Sequence, residues 1–424
     1  MSPFFAMSFF VAVLFCGVTL DVGNMELTRM QLQNAADAAA IGGQVSHDEQ
    51  AASASGNALL DAQTNGFTNG VNNVTVSINV GAATGPYAGR YDVVTATVTK
   101  QINTLFMGTL NGGKITLSAS AYSVYTPCVF LTGAHSPSLT SYPLSLNTGS
   151  SIGNWGGTSH GCPIEVNKGI YADSNSSLWV NQANVVGSSS GSSLMGGIYH
   201  TPSYNATAFS DPLTYTAACT TLSANCVHQT STGITPPSFS SCTYTGKTWA
   251  SGGTYTLSPG TYCSSFSFTN STVTLLPGLY IITGGGTWSG STVTGTGVTL
   301  YFTQKGDNNY GQFKVTSSTL TLSAPTTSTN SSIPGILFMN DKNWVPTAAQ
   351  DFQFLSGSGN TGDGIYYFIG TGVMFNSSPP SATNYMCFDV DNMNIIATAV
   401  NPLSNFAVIP TGNPFNAMIG GLIN

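Results

Sequence analysis

The sequence predicts a mainly β chain with a long N-terminal α-helix: an apolar helix, a small α/β module and a right-handed parallel β-helix-like domain. Three observations predict it. Residues 1–20 carry no charged side chain. Strings rich in Thr, Val and Tyr recur in the second half at spacings of about 18–27 residues, the length of one solenoid coil. Charged residues are only 6% of the 424, and 48 are glycine, so Ser, Thr, Asn and Gly must supply the polar surface.

The charge balance removes several classes. Nine Lys plus Arg against 16 Asp plus Glu give a net charge of −7. Nucleic-acid binding needs a basic stripe to displace counterions, and none is present. Disorder couples low hydrophobicity to high net charge, whereas 41% of this chain is apolar. What remains resembles an extracellular structural surface.

The apolar stretch over residues 1–20 spans about 30 Å as a helix, the thickness of one hydrocarbon core. No Lys or Arg precedes it, so a basic leader is expected either upstream or already removed. It reads as a membrane helix or as a packing helix in a filament core. Phe4, Phe5, Phe9, Phe10, Val11, Val13, Leu14, Phe15 and Leu20 are its candidate assembly residues, with Glu26 and Arg29 as candidate register-setting charges. Acids cluster next, at Asp21, Glu26, Asp37, Asp48, Glu49 and Asp61. Helix formers continue from Met25 to Ala40, and Gly42-Gly43 predicts a stop. Ser46 and Glu49 then read as a capping box opening a second helix over about 47–64, with His47 an exposed first-turn residue.

The run Leu20-Asp21-Val22-Gly23, followed by Arg29-Met30-Gln31-Leu32-Gln33-Asn34-Ala35-Ala36-Asp37-Ala38-Ala39-Ala40, resembles the signature of TadE/TadG-like proteins. The resemblance extends over about 126 residues: helix 47–64, the Asn65-Gly66 turn, and strands near 72–80, 91–99 and 115–125, with Asn103–Leu110 a further helical segment. It implies a pilin-like protein handled by tight-adherence secretion machinery, inserted in the inner membrane before assembly and then exposed on the cell surface. Phe5 stands close to where type IV pilins generally carry a glutamate.

Beyond residue 126 the chain repeats itself. Thr254–Tyr262 aligns with Thr272–Tyr280, and Ser271-Thr272-Val273-Thr274 recurs at Ser291 and, with Leu for Val, at Ser318. Each unit is a strand, a Gly/Pro/Ser/Asn corner and another strand, which suits a parallel β-helix. An antiparallel sandwich is the alternative, but its Asn-Gly and Asp-Gly hairpin turns are scarce between the repeats. A similar β-helical ectodomain follows the N-terminal signature in some TadG-like proteins. The expected organisation is a helix over 1–45, a pilin-like module over 46–126, the repeat domain over 127–400, and a cap or docking tail over 401–424.

Eight cysteines lack metal-ligand spacing. Cys16 reads as a small buried hydrophobe. Cys128–Cys162, Cys219–Cys226 and Cys242–Cys263 are disulfide candidates by proximity, which places the chain in an oxidising compartment and leaves Cys387 over. Asn73, Asn175, Asn205, Asn270, Asn330 and Asn376 stand in Asn-x-Ser/Thr sites, glycosylation candidates in a host with that machinery.

Chemistry is sparse, and no enzyme or cofactor is expected. Asp389-Val390-Asp391 offers two carboxylates to Ca²⁺, with a solvated pair the simpler reading. Asp173-Ser174-Asn175-Ser176-Ser177 resembles a metal-dependent adhesion loop only loosely. Asp307-Asn308-Asn309 and Asn340-Asp341 read as turns. His135, His160, His200 and His228 lack ligand spacing. The leading functional expectation is a self-assembling subunit of a surface filament. The alternative is a membrane-anchored minor pilin or adhesin whose β-helix binds carbohydrate through Trp155, Trp179, Trp249, Trp288 or Trp344.

Overall fold

A computed structural model describes residues 3–48, 53–80, 93–104, 113–133, 142–153, 162–173, 175–180, 182–187, 203–204, 206, 208–209, 211, 213, 237, 241–249, 251–304, 310–341, 351–357, 360–378 and 380–402. It divides between Tyr125 and Thr126 into two compact units.

The first unit is built on helix α1 (Pro3–Asp48), helix α2 (Ala54–Thr64) and an antiparallel sheet of β1 (Val74–Val80), β2 (Val93–Asn103) and β3 (Lys114–Val124) in the order β1-β2-β3. Leu32, Ala35, Ala36, Ala39 and Ala40 are fully buried in one core with Ala96, Val98, Leu117 and Ala121 of the sheet. Small side chains every three or four residues let a helix lie close on a sheet. The alanine-rich signature is therefore a docking strip.

Gly42 and Gly43 do not stop α1, which runs on to Asp48. They make room for α2 instead. A Cβ on Gly43 would lie 3.2 Å from the Ala58 Cβ and 3.1 Å from the Val94 Cγ1. Helix–helix and helix–sheet packing outweigh the propensity cost of two glycines, about 1 kcal/mol each. The Ser46/Glu49 capping box is corrected too: Ser53 caps α2, its hydroxyl accepting from the Gly56 N–H at 3.1 Å. Ser46 lies inside α1 and accepts from Asn57 Nδ2 at 2.9 Å. The Asn65 end of α2 stands as expected. His47 and Glu49 give no described side chain, and 105–110 of the anticipated helical segment lie outside the described residues.

The second unit winds a 21-stranded parallel sheet and a separate three-stranded one, of Ser151–Gly153, Ser177–Trp179 and Ala399–Val400, into successive coils. Three registers define three faces. Tyr280, Leu300, Phe338, Tyr366, Phe388, Val129, Ile164 and Ala183 pair in turn on the first. Trp249, Phe268, Trp288, Val315, Phe354, Phe375, Ile395, Leu146 and Ala172 pair on the second. Thr256, Thr274, Thr294, Thr321, Thr361 and Ser381 pair on the third. The inward side chains of all coils join one buried cluster. Aromatic rings stack between coils, as in Tyr244–Tyr262 at 4.8 Å and Phe338–Tyr366 at 5.0 Å.

The order of coils is not the order of the chain. Phe388 pairs with Val129, and Met393 with Leu144. Coils 129–153 and 164–179 therefore stack beyond the last coil in sequence, 386–400.

One corner recurs. Asn270, Gly290, Ser317, Ser377, Ala397 and Gly149 adopt φ between 47° and 71°, each directly before Ser271, Ser291, Ser318, Ser378, Thr398 or Ser150. The buried serines form a ladder. The Ser271 N–H donates to Ser291 Oγ at 3.1 Å, and the Ser291 N–H to Ser318 Oγ at 3.0 Å. Each hydroxyl donates to the carbonyl two residues back, at 2.8, 3.0 and 3.1 Å. Ser291→Ala leaves the Ser271 N–H buried without this acceptor. It should cost about 1–3 kcal/mol, measurable by urea unfolding followed by far-UV circular dichroism.

Disulfides join Cys128 to Cys162 and Cys242 to Cys263. Cys387 is buried and reduced, its thiol pushed up by burial, and Cys16 is exposed rather than buried as expected. Cys219, Cys226 and the tail from 403 lie outside the described residues.

Candidate functional site

Helix α1 carries the candidate site, and its two faces differ. Gly17, Asp21, Thr28, Leu32, Ala35 and Ala39 form the buried face. Those positions recur at three- and four-residue steps, so they share one side. On the adjoining side Val13, Leu20 and Leu27 are 42%, 65% and 50% exposed. They recur every seven residues, with Cys16, Gly23 and Met30 three positions after each. That is the a/d spacing of a helix–helix seam. Met30 is 60% exposed, and a Cβ added at Gly23 would meet nothing within 4 Å. Phe15, 67% exposed, lies on the flank.

Val13, Phe15 and Leu20, expected as assembly residues, are thus apolar and open to solvent in this chain. The side chains of Phe4, Phe5, Phe9, Phe10, Val11 and Leu14 lie outside the described residues. Leu27 and Met30 were not expected to belong to the seam. A heptad count from Val13 locates them, but the charged neighbours Glu26 and Arg29 mask the pattern. Glu26 and Arg29 pair with each other at 2.8 Å, both more than half exposed. Such an i,i+3 pair contributes a few tenths of a kcal/mol.

Among the described residues no helix is long and apolar enough to cross a membrane. Most side chains of the membrane span expected over residues 1–20 lie outside the described residues. Beyond the undescribed side chains, α1 soon meets Thr19, Asp21 and Asn24, and Asp21 is 4% exposed on the packed face.

The remaining candidates fall elsewhere. Asp389 and Asp391 are fully buried. Asp389 lies in register between Tyr367 and Phe130, beside Asp211, whose carboxylate accepts from the Tyr367 hydroxyl at 2.9 Å and the Leu213 N–H at 2.8 Å. Burial first, and the Asp211 carboxylate second, push the Asp389 carboxyl well above the ordinary range. The two carboxylates do not act as a pair: the strand register shifts between Phe368 and Gly372, and Asp391 accepts from Thr132 Oγ1 at 3.1 Å. Among the described residues no group of three or more His, Cys, Asp and Glu could hold a metal ion.

Asp173 serves a turn. It accepts from Ser176 Oγ at 2.6 Å, from the Asn175 N–H at 3.2 Å and from the Thr148 N–H. The Ser176 hydroxyl above all holds its pKa below the usual carboxylate value. Asn340 clamps Ile369 through both its N–H and its carbonyl, at 2.8 Å each, and Asp341 accepts from Thr303 Oγ1 at 2.8 Å. The four loop histidines and Asp307 lie outside the described residues.

Trp288 is fully buried and Trp249 nearly so, which removes both from carbohydrate stacking. Trp179 is half-buried, and Trp155 and Trp344 lie outside the described residues. Asn73, Asn270 and Asn330 are exposed at positive-φ corners, Asn175 is exposed in the Asp173 turn, and Asn376 is half-buried. Asn205 is not described. A groove of about 1000 Å³ lined by Pro259, Pro277, Leu276, Leu279, Thr261 and Asn330 opens on the solenoid and carries no charged group.

Comparison with known proteins adds one match. No curated protein and no solved structure is similar to the chain. Residues 1–60 of the 424, the stretch that forms α1 and the start of α2, are similar to the family described as "Putative Flp pilus-assembly TadE/G-like", which links this segment to a pilus system at the cell envelope.

Proposed function

We propose that the chain is a non-enzymatic structural subunit of an extracellular, pilus-like surface filament. The single observation that carries this is the exposed seam of α1. It adjoins a face that packs on the chain's own sheet from Leu32 to Ala40, yet Val13, Leu20, Leu27 and Met30 stand open in a segment similar to a pilus-assembly family. Copies of the helix packing through this seam bury apolar area at about 25 cal/mol per Å² before ordering costs. Such contacts are heterologous and grow without closing. The parallel coils form a right-handed β-helix, the hand that parallel crossovers take, and the two disulfides suit an oxidising exterior. Secretion machinery that delivers the chain to the surface is the partner before assembly. Two of the five tryptophans of the carbohydrate-binding alternative, Trp249 and Trp288, are core residues.

Leu20→Asp and Leu27→Asp should abolish filaments in electron micrographs of sheared cell-surface material. Circular dichroism of the purified chain should stay unchanged, because both side chains already face solvent. Filaments that persist in both variants sink the proposal.

A further inference from the structure

The third face of the solenoid carries two columns of hydroxyl side chains. Thr254, Thr272, Thr292 and Thr319 stand in direct parallel register, and so do Thr256, Thr274, Thr294 and Thr321. Four successive coils thus read Thr-x-Thr. Val273, Val293 and Leu320, the central residues of three of them, are buried in the core, and Tyr255 packs against it. Strand alternation then turns both threonines outward. Thr254, Thr256, Thr272, Thr274, Thr292 and Thr321 are exposed, and Thr294 and Thr319 half-buried.

The result is a two-dimensional lattice. Neighbouring coils lie about 4.8 Å apart, and the two threonines of a coil about 6.6 Å apart. Threonine is stiff at χ1, so hydroxyl and methyl repeat with little freedom. Thr274 Oγ1 lies 3.4 Å from Thr294 Oγ1. Composition alone does not explain the regularity. On the second face the outward column reads Thr287, Lys314, Gln353, Met374 and Asn394.

From this lattice we infer that the third face is an ice-binding surface. The residue types on it decide the partner. Sugar recognition uses stacking aromatic rings, nucleic acid needs positive charge, and protein interfaces are anchored by aromatics and arginine. The Thr-x-Thr segments turn none of these outward. An uncharged periodic array of hydroxyls and methyls instead matches a periodic lattice of water. The hydroxyls enter its hydrogen-bond network, and the methyls hold first-layer water in ordered cages. The basal and prism faces of hexagonal ice repeat their oxygen rows on the same scale as these columns. A rigid sheet presents the array already ordered, so little conformational entropy is lost on binding.

The full-length protein should partition into a growing ice front and depress the freezing point below the melting point. Thr274→Arg and Thr292→Arg, outward substitutions with the core untouched, should reduce both effects to the level of an inert protein. Thr274→Ser, which keeps the hydroxyl and removes the methyl, should lower them without risk to the fold. Thr287→Arg on the second face should leave them intact, and circular dichroism should match wild type for all four. Exclusion of the wild-type protein from ice overturns the inference. Undiminished binding by the Thr274 and Thr292 variants does so too, as does an intact mass showing sugars on these threonines in the native protein.

Discussion

Trp288→Ala should lower the unfolding free energy by about 3–5 kcal/mol, the range for removing a buried Phe or Trp side chain. Trp288 is completely buried, and its indole N–H donates to the Phe266 carbonyl at 3.0 Å. Its ring packs against Phe268 at 5.0 Å and Phe313 at 4.9 Å. These neighbours belong to the coils on either side, so the cavity would loosen two coil interfaces at once. In a solenoid, stability is approximately a sum of coil and nearest-neighbour terms. The coils from 244 to 283 should then unfold apart from the rest, giving a second transition. Trp288→Phe keeps most of the ring and loses the indole donor, and should cost about 1–2 kcal/mol. Urea unfolding by circular dichroism checks both. A Trp288→Ala protein that melts in one transition near wild type contradicts this account of the core.

Asp389→Asn should raise stability at neutral pH and flatten its dependence on pH. The Asp389 carboxyl is fully buried, and burial and the Asp211 carboxylate raise its pKa from 3.8. Between the unfolded pKa and this raised folded pKa, the folded chain holds a proton there that the unfolded chain has released. Below the unfolded pKa both states are protonated and the group contributes no difference. As pH rises above about 4 the folded state becomes less favourable, by up to about 1.4 kcal/mol per pH unit, until the folded pKa is passed. Burial and the Asp211 charge likewise push the Tyr367 hydroxyl far up, so it stays a neutral donor to Asp211. Asparagine keeps the shape and removes the titration. Urea midpoints between pH 4 and 8 read the slope directly. Equal slopes in wild type and variant would show that Asp389 is not the group responsible.

Much of the fold was legible because it is local. The Thr-Val-Thr alternation, the corner before Ser271 and Ser291, and the turn at Asn65 are set by neighbours within a few residues. The same reasoning failed at Gly42-Gly43. There, a residue type that ends an isolated helix was used to let α2 approach, and only the partner helix makes that choice. It failed again at Asp389 and Asp391. Their spacing suggests one strand face, but a register shift and the arrival of Asp211 from a distant segment separate their environments. Trp249 and Trp288 read more readily as core residues than as surface binders, and Phe266 and Phe268 enclose them.

What the sequence by itself determined is the apolar helix, its alanine-rich continuation and the coils, since periodicity and corner chemistry act over a single turn or strand. The tertiary structure decided which face of α1 is left open and how the coils are ordered. Every parallel edge offers the same row of N–H and C=O groups. Inward side chains, Phe388 against Val129 and Ile395 against Leu146, select the edge, and the backbone ladder then joins the last coil in sequence to the first.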